Sequence, residues 1–204
     1  MTKFATLSRL NVELLRAQRR ASSFFRAICV TVFVVLVGCD RESGKQKRTT
    51  AASFTERAQL AEFASNGVSV KVALETDANL QPILRATFTP DSPGFHVYSK
   101  DLPERGVNGF GAPTRFVVAT NAGIPSVGNA FADVMPKDLH VKALGVTLAI
   151  YPEGPVNICV PIELRSAEQD VDAQLSFSYM ACDTKGVCLR AIDGKKVTVK
   201  IPKL

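Results

Sequence analysis

The sequence predicts an all-β domain, a sandwich of seven to nine strands, and three observations carry that expectation. From Gly67 to Leu204 the apolar positions recur every second residue. Clusters of Pro, Gly, Asp and Ser divide the runs. No long helical period and no internal repeat is present.

Taken in order, Val68, Val70, Val72 and Leu74 alternate with Ser69, Lys71 and Ala73, and Leu84, Ala86 and Phe88 flank Arg85 and Thr87. Further on, Val156, Ile158, Val160, Ile162 and Leu164 alternate with Asn157, Cys159, Pro161 and Glu163. Leu175, Phe177, Tyr179 and Ala181 form a fourth run, and Val197, Val199 and Ile201 a fifth. Each pattern is that of a strand with one buried face. Thr89–Gly94, Leu102–Gly106, Tyr151–Pro155 and Asp193-Gly194 supply the turns. The stretch from Gly123 to Gly145 is less regular and is expected to hold a long loop over one end of the sandwich.

Upstream of this domain the chain changes character. Ala27 to Gly38 is an uncharged, mostly apolar run behind Arg19, Arg20 and Arg26. As a helix it would span roughly 18 Å, short of the ~30 Å hydrocarbon core. A basic stretch followed by a short apolar one is a secretory signal. Leu36-Val37-Gly38-Cys39 resembles the bacterial lipobox, which implies cleavage before Cys39 and lipidation of its sulfur; the plainer alternative is an ordinary signal peptide with a chance cysteine. Asp40 resembles the signal for retention in the inner membrane. The expected organisation is therefore a signal peptide over 1–38, a lipidated N-terminus and flexible tether over 39–66, and the β domain over 67–204. A short helix at Phe54 to Phe63 is a further expectation. The expected location is the periplasm, with membrane attachment through the lipid.

Charge excludes one class of function. The chain carries a net +6, but residues 1–39 hold six basic side chains against the single acid Glu13. The remainder is close to neutral, with no basic stripe to read as a nucleic-acid footprint. No nucleophile–base signature, paired carboxylates or phosphate loop is visible, so no cofactor is expected.

Of five cysteines, Cys29 leaves with the leader and Cys39 is assigned to lipid, which leaves Cys159, Cys182 and Cys188. Cys182 and Cys188 end two strands joined by the five-residue loop Asp183–Val187, close enough for a disulfide. Closing so short a ring removes chain entropy worth only about 2.4 kcal/mol, and a hairpin tip is open to an attacking thiolate. Spacing alone leaves redox use and a structural bond equally open, with metal binding a minor third. Cys159 shares the polar parity of its strand and is read as a partly covered, unreactive thiol, with a reactive or regulatory role as the alternative. His96 and His140 are the only histidines, and no ligand-pair spacing supports zinc, so no metal site is expected. Met135 and Met180 would add soft ligands for copper.

Tyr179-Met180-Ala181-Cys182-Asp183-Thr184-Lys185-Gly186-Val187-Cys188 resembles the active-site hairpin of the N-terminal (alpha) domain of the periplasmic disulfide reductase DsbD. Gly94-Phe95-His96-Val97-Tyr98 is similar to the aromatic strand entering that site, and Pro113-Thr114-Arg115-Phe116 to a further segment. The resemblance implies an immunoglobulin-like β-sandwich with a cap loop over the cysteines, and thiol–disulfide interchange as the activity. It implies Cys188 as the sulfur that forms mixed disulfides, Cys182 as the one that resolves them, and His96, Tyr98 and Tyr179 as flanking side chains. The cap loop falls in Lys137–Thr147, with Leu144 and Gly145 as its expected centre. The implied partners are thioredoxin-like periplasmic proteins and a membrane electron donor. Leu189-Arg190-Ala191 departs from the family, where an aromatic and two prolines often follow the second cysteine. An immunoglobulin-like binding module with a structural disulfide, or periplasmic copper handling, are the alternative functions.

Overall fold

The computed structural model describes residues 54–204; the leader, Cys39 and Asp40 lie outside them. All the regular structure in this span is β, in thirteen strands. These are β1 (Thr55–Ser65), β2 (Val68–Thr76), β3 (Pro82–Pro90), β4 (Phe95–Val97), β5 (Arg115–Val118), β6 (Ser126–Val127) and β7 (Phe131–Ala132). They continue with β8 (Lys137–Val141), β9 (Val146–Ile150), β10 (Val156–Glu163), β11 (Val171–Tyr179), β12 (Ala181–Asp183) and β13 (Ile192–Ile201).

The five long period-two runs all become strands, because each has one face to bury. One sheet runs β1-β2-β3-β10, and the free edge of β10 is taken by the short strands β6 and β7. The second sheet is β13-β11-β5. Their inward faces share one core: Val68, Val70, Val72, Leu74, Leu84 and Phe88 from the first, Phe116, Leu175, Phe177, Tyr179 and Ile201 from the second. Phe177 is the meeting point. It stacks on Phe116 at 5.3 Å between ring centres, and meets Phe63 edge-on at 5.2 Å and Phe88 at 6.3 Å. Antiparallel strands in two facing sheets around one core make an immunoglobulin-like sandwich, as the sequence predicts.

Two expectations are corrected. Residues 55–65 are neither helix nor tether: β1 pairs with β2 along its length, so the sandwich begins near Thr55 instead of Gly67. The pairing is set by Asn66-Gly67, both at positive φ (49° and 72°), a two-residue hairpin turn whose twist suits antiparallel strands. The expected loop between Gly123 and Gly145 is in fact the edge strands β6 and β7 followed by β8, the first strand of a second hairpin. β8 and β9 pair from Lys137↔Ile150 to Val141↔Val146, with residues 142–145 as the tip.

Candidate functional site: a disulfide with one buried and one exposed sulfur

Cys182 and Cys188 are joined by a disulfide, with their Cα atoms 4.0 Å apart. The hairpin is built by its own first residue. Asp183 Oδ1 accepts hydrogen bonds from the backbone N–H of Lys185 (2.9 Å) and Val187 (2.8 Å), and the Asp183 N–H donates to the Val187 carbonyl. Gly186 takes φ 95°, a conformation that L side chains rarely adopt. These bonds close the turn within residues 183–187, and the Leu189 N–H on Ala181 O closes the hairpin beyond it.

β12 lies against β4 in the register Ala181↔Val97, Cys182↔His96, Asp183↔Phe95. Alternation sends Val97 and Ala181 into the main core and leaves Cys182 on the opposite face with His96. The Tyr98–Ile150 bridge, together with the Ser99 N–H on Ala149 O and the Tyr151 N–H on Val97 O, ties β9 to the end of β4. The β8–β9 hairpin thus continues the same small layer, and its apolar side chains close a second cluster. Cys182 is buried there with Tyr98, Leu102, Val146, Leu148 and Ile150, and Leu139, Val141 and Met180 pack against the group. The two sulfurs end up in different surroundings: Cys182 is 2% exposed, whereas Cys188 is exposed.

The cap is therefore a β-hairpin, and it covers with aliphatic side chains of its strands. Leu144, the expected centre, sits at the tip and is 44% exposed; Gly145 is at the same tip with φ 63°. Tyr179 is also displaced from its expected place. It has the parity of Phe177, so its ring lies in the main core against Phe88 and its hydroxyl donates to Ser65 O.

Tyr98 and His96 do adjoin the pair. The Tyr98 hydroxyl donates to Cys182 Sγ at 3.2 Å, and burial raises its pKa. His96 is 1% exposed, packs edge-on against the Tyr98 ring at 5.8 Å, and has no hydrogen-bond partner on either ring nitrogen. Burial depresses its pKa, and Lys137 pushes the same way, against smaller opposing pulls from Glu153 and Asp183. The imidazole is held neutral.

The remaining candidates lie apart from this cluster. Cys159 is buried on the outer face of the first sheet, opposite Arg85 on one side and Phe131 on the other. Burial, with the nearby Glu75 carboxylate, pushes its thiol up to about 12, which keeps it protonated and unreactive at neutral pH. The Glu75–Arg85 ion pair beside it (2.6 Å) is a feature that period-two reading missed, since Glu75 stands at a nominally outward position yet is buried. His140 is exposed on β8 and bonds Thr147 Oγ1; Met135 is 84% exposed. Among the described residues, no three His, Cys, Asp or Glu side chains gather as metal ligands.

No family model matches the chain, and no curated protein matches it. Among solved structures, the N-terminal domain of Neisseria meningitidis DsbD in its reduced form is similar, at 12% identity and a TM-score of 0.38. The match covers 71% of this chain and 85% of that one. A likeness of that size carries no inference about mechanism, which has to come from the disulfide itself.

Proposed function

We propose that the domain exchanges thiols and disulfides with protein partners through Cys182 and Cys188. The observation that carries this reading is the division of the bond into an exposed sulfur and a buried one that receives a hydroxyl. A partner thiolate reaches Cys188 Sγ, the Cys182–Cys188 bond breaks, and Cys182 departs as a thiolate that the Tyr98 O–H can stabilise. A second thiol of the partner then attacks the mixed disulfide and leaves as the partner's own disulfide, with this domain a dithiol. Run in reverse, the Cys188 thiolate attacks an oxidised protein and Cys182 resolves the intermediate. Thioredoxin-like periplasmic proteins and a membrane electron donor are the partners this chemistry fits. For the copper alternative, Met180 packs against the Cys182 cluster, but Met135 and His140 stand exposed outside it, and no three His, Cys, Asp or Glu side chains gather among the described residues.

The reduction potential of the pair tests the reading. A catalytic couple is expected above about −300 mV; a value below that, with resistance to glutathione, would mark a structural bond and favour a binding module. Anchoring through Cys39 belongs to the same proposal, because a relay between a membrane donor and soluble acceptors works best when held at the membrane. Cys39→Ser is expected to move the protein from the membrane fraction to the soluble one or to leave it as precursor. A wild-type protein that is soluble, with an unmodified Cys39 thiol by mass spectrometry, would rule the anchor out.

A further inference from the structure

His96 is the one buried side chain at the site whose polar atoms are left unserved. A neutral imidazole carries one N–H and one bare nitrogen, and a buried polar group without a partner is rare enough to require a reason. In the disulfide, Cys182 Sγ has no hydrogen and can only accept, as it does from Tyr98. In the dithiol it has one S–H to give. His96 stands directly opposite Cys182 in the β4–β12 register, so the two side chains leave the same face with Cβ atoms ~4.5–5.5 Å apart. Tyr98, two residues on, touches both the imidazole and the sulfur.

We propose that His96 is the proton acceptor for Cys182, a contact that exists in the dithiol and is broken in the disulfide. On reduction the Cys182 S–H donates to the bare nitrogen of His96, completing the order Tyr98 O–H to Sγ, S–H to imidazole. When Cys182 resolves a mixed disulfide on Cys188, its proton passes to His96 and its sulfur bonds to Cys188 Sγ. The partner sulfur leaves with the bonding pair and takes up the proton, which restores neutral His96. In the opposite direction the partner thiolate attacks Cys188 Sγ, the Cys182–Cys188 bond breaks, and the departing Cys182 thiolate, held by the Tyr98 O–H, takes up a proton from solvent and donates its new S–H to His96. A base must be unprotonated to act, and burial together with Lys137 on β8 keeps the ring so, against Glu153 and against Asp183 on β12.

The catalytic half of this inference rests on the exchange reading; the redox-dependent contact does not. Histidine ¹⁵N spectra of the full chain, oxidised and then reduced with dithiothreitol, should show a ring nitrogen of His96 shifting as it gains a hydrogen bond. The exposed His140 should stay in place and serve as the internal control. His96→Phe should lower the equilibrium constant for reduction by glutathione about tenfold, a drop of about 30 mV for this two-electron couple. His96→Gln, whose amide oxygen can accept from the thiol, should keep most of the equilibrium constant while slowing resolution of the mixed disulfide. Identical His96 signals in both redox states, or an unchanged equilibrium constant in His96→Phe, would overturn the proposal. If His96→Phe does not fold, the wild-type spectra decide alone. Shifting signals without any protein partner would leave the contact standing and remove only the exchange reading.

Discussion

Cys182→Ser is expected to accumulate covalent complexes with partner proteins, on the order of tenfold or more over Cys188→Ser, because exchange rates follow the access and thiolate fraction of the attacking sulfur. In Cys182→Ser the exposed Cys188 remains free to attack, and no second thiol is left to resolve the product. In Cys188→Ser the remaining sulfur is 2% exposed beneath Val146 and Leu148 of the β8–β9 hairpin, and a partner disulfide cannot reach it without moving that hairpin. Cys159→Ser should change neither pattern, since that thiol is buried and held protonated. Non-reducing gels of whole-cell extracts, acid-quenched and thiol-blocked, measure the difference. Equal trapping by both variants would reverse or erase the assignment of roles. No trapping by either would favour a structural disulfide.

That asymmetry was only partly legible in the sequence. The spacing of Cys182 and Cys188 reveals a bridgeable hairpin, but which sulfur is covered depends on β8–β9, and no local pattern between Lys137 and Ile150 states that Leu139, Val141, Val146 and Leu148 turn toward Cys182. Leu144, the expected cap centre, sits at the tip, and several medium aliphatic side chains of the two strands share the covering instead. Tyr179 could have been placed by parity alone, since it lies two residues after Phe177 on the same strand. His96 opposite Cys182 is a register fact and needs the β4–β12 pairing to be known.

The sandwich was legible wherever one face of a strand is buried and the other wet. It was not legible in β1, where Ala, Glu, Gln and Leu favour a helix and register shifts between Glu56 and Ala58 and between Gln59 and Ala61 break the period of two. Pairing with β2 outweighs that preference. One signal was available: Asn66-Gly67 ahead of an alternating run is a strong hairpin sign, and it points to a strand before it as well as after it.

Phe177→Ala is expected to destabilise the domain by about 3–5 kcal/mol, more than reduction of the disulfide does. Phe177 is fully buried where the aromatic rings of β1, β3 and β5 converge, and removing its ring leaves a cavity that two facing sheets cannot close without losing their other contacts. Set against a total stability of about 5–15 kcal/mol, the loss should be plain in urea unfolding. Val117→Ala, next to Phe116 but 53% exposed, should stay within about 0.5 kcal/mol. The disulfide closes a sequence separation of only 6, so reducing it releases about 2.4 kcal/mol of unfolded-chain entropy at most. The hairpin also keeps its Asp183 hydrogen bonds and its place on β4. Reduced wild type should therefore unfold at a higher urea concentration than oxidised Phe177→Ala. A bond that can open and close with so little effect on the sandwich is suited to exchange. Should reduction lower the midpoint further than Phe177→Ala does, the bond holds the fold and the exchange reading loses its physical basis.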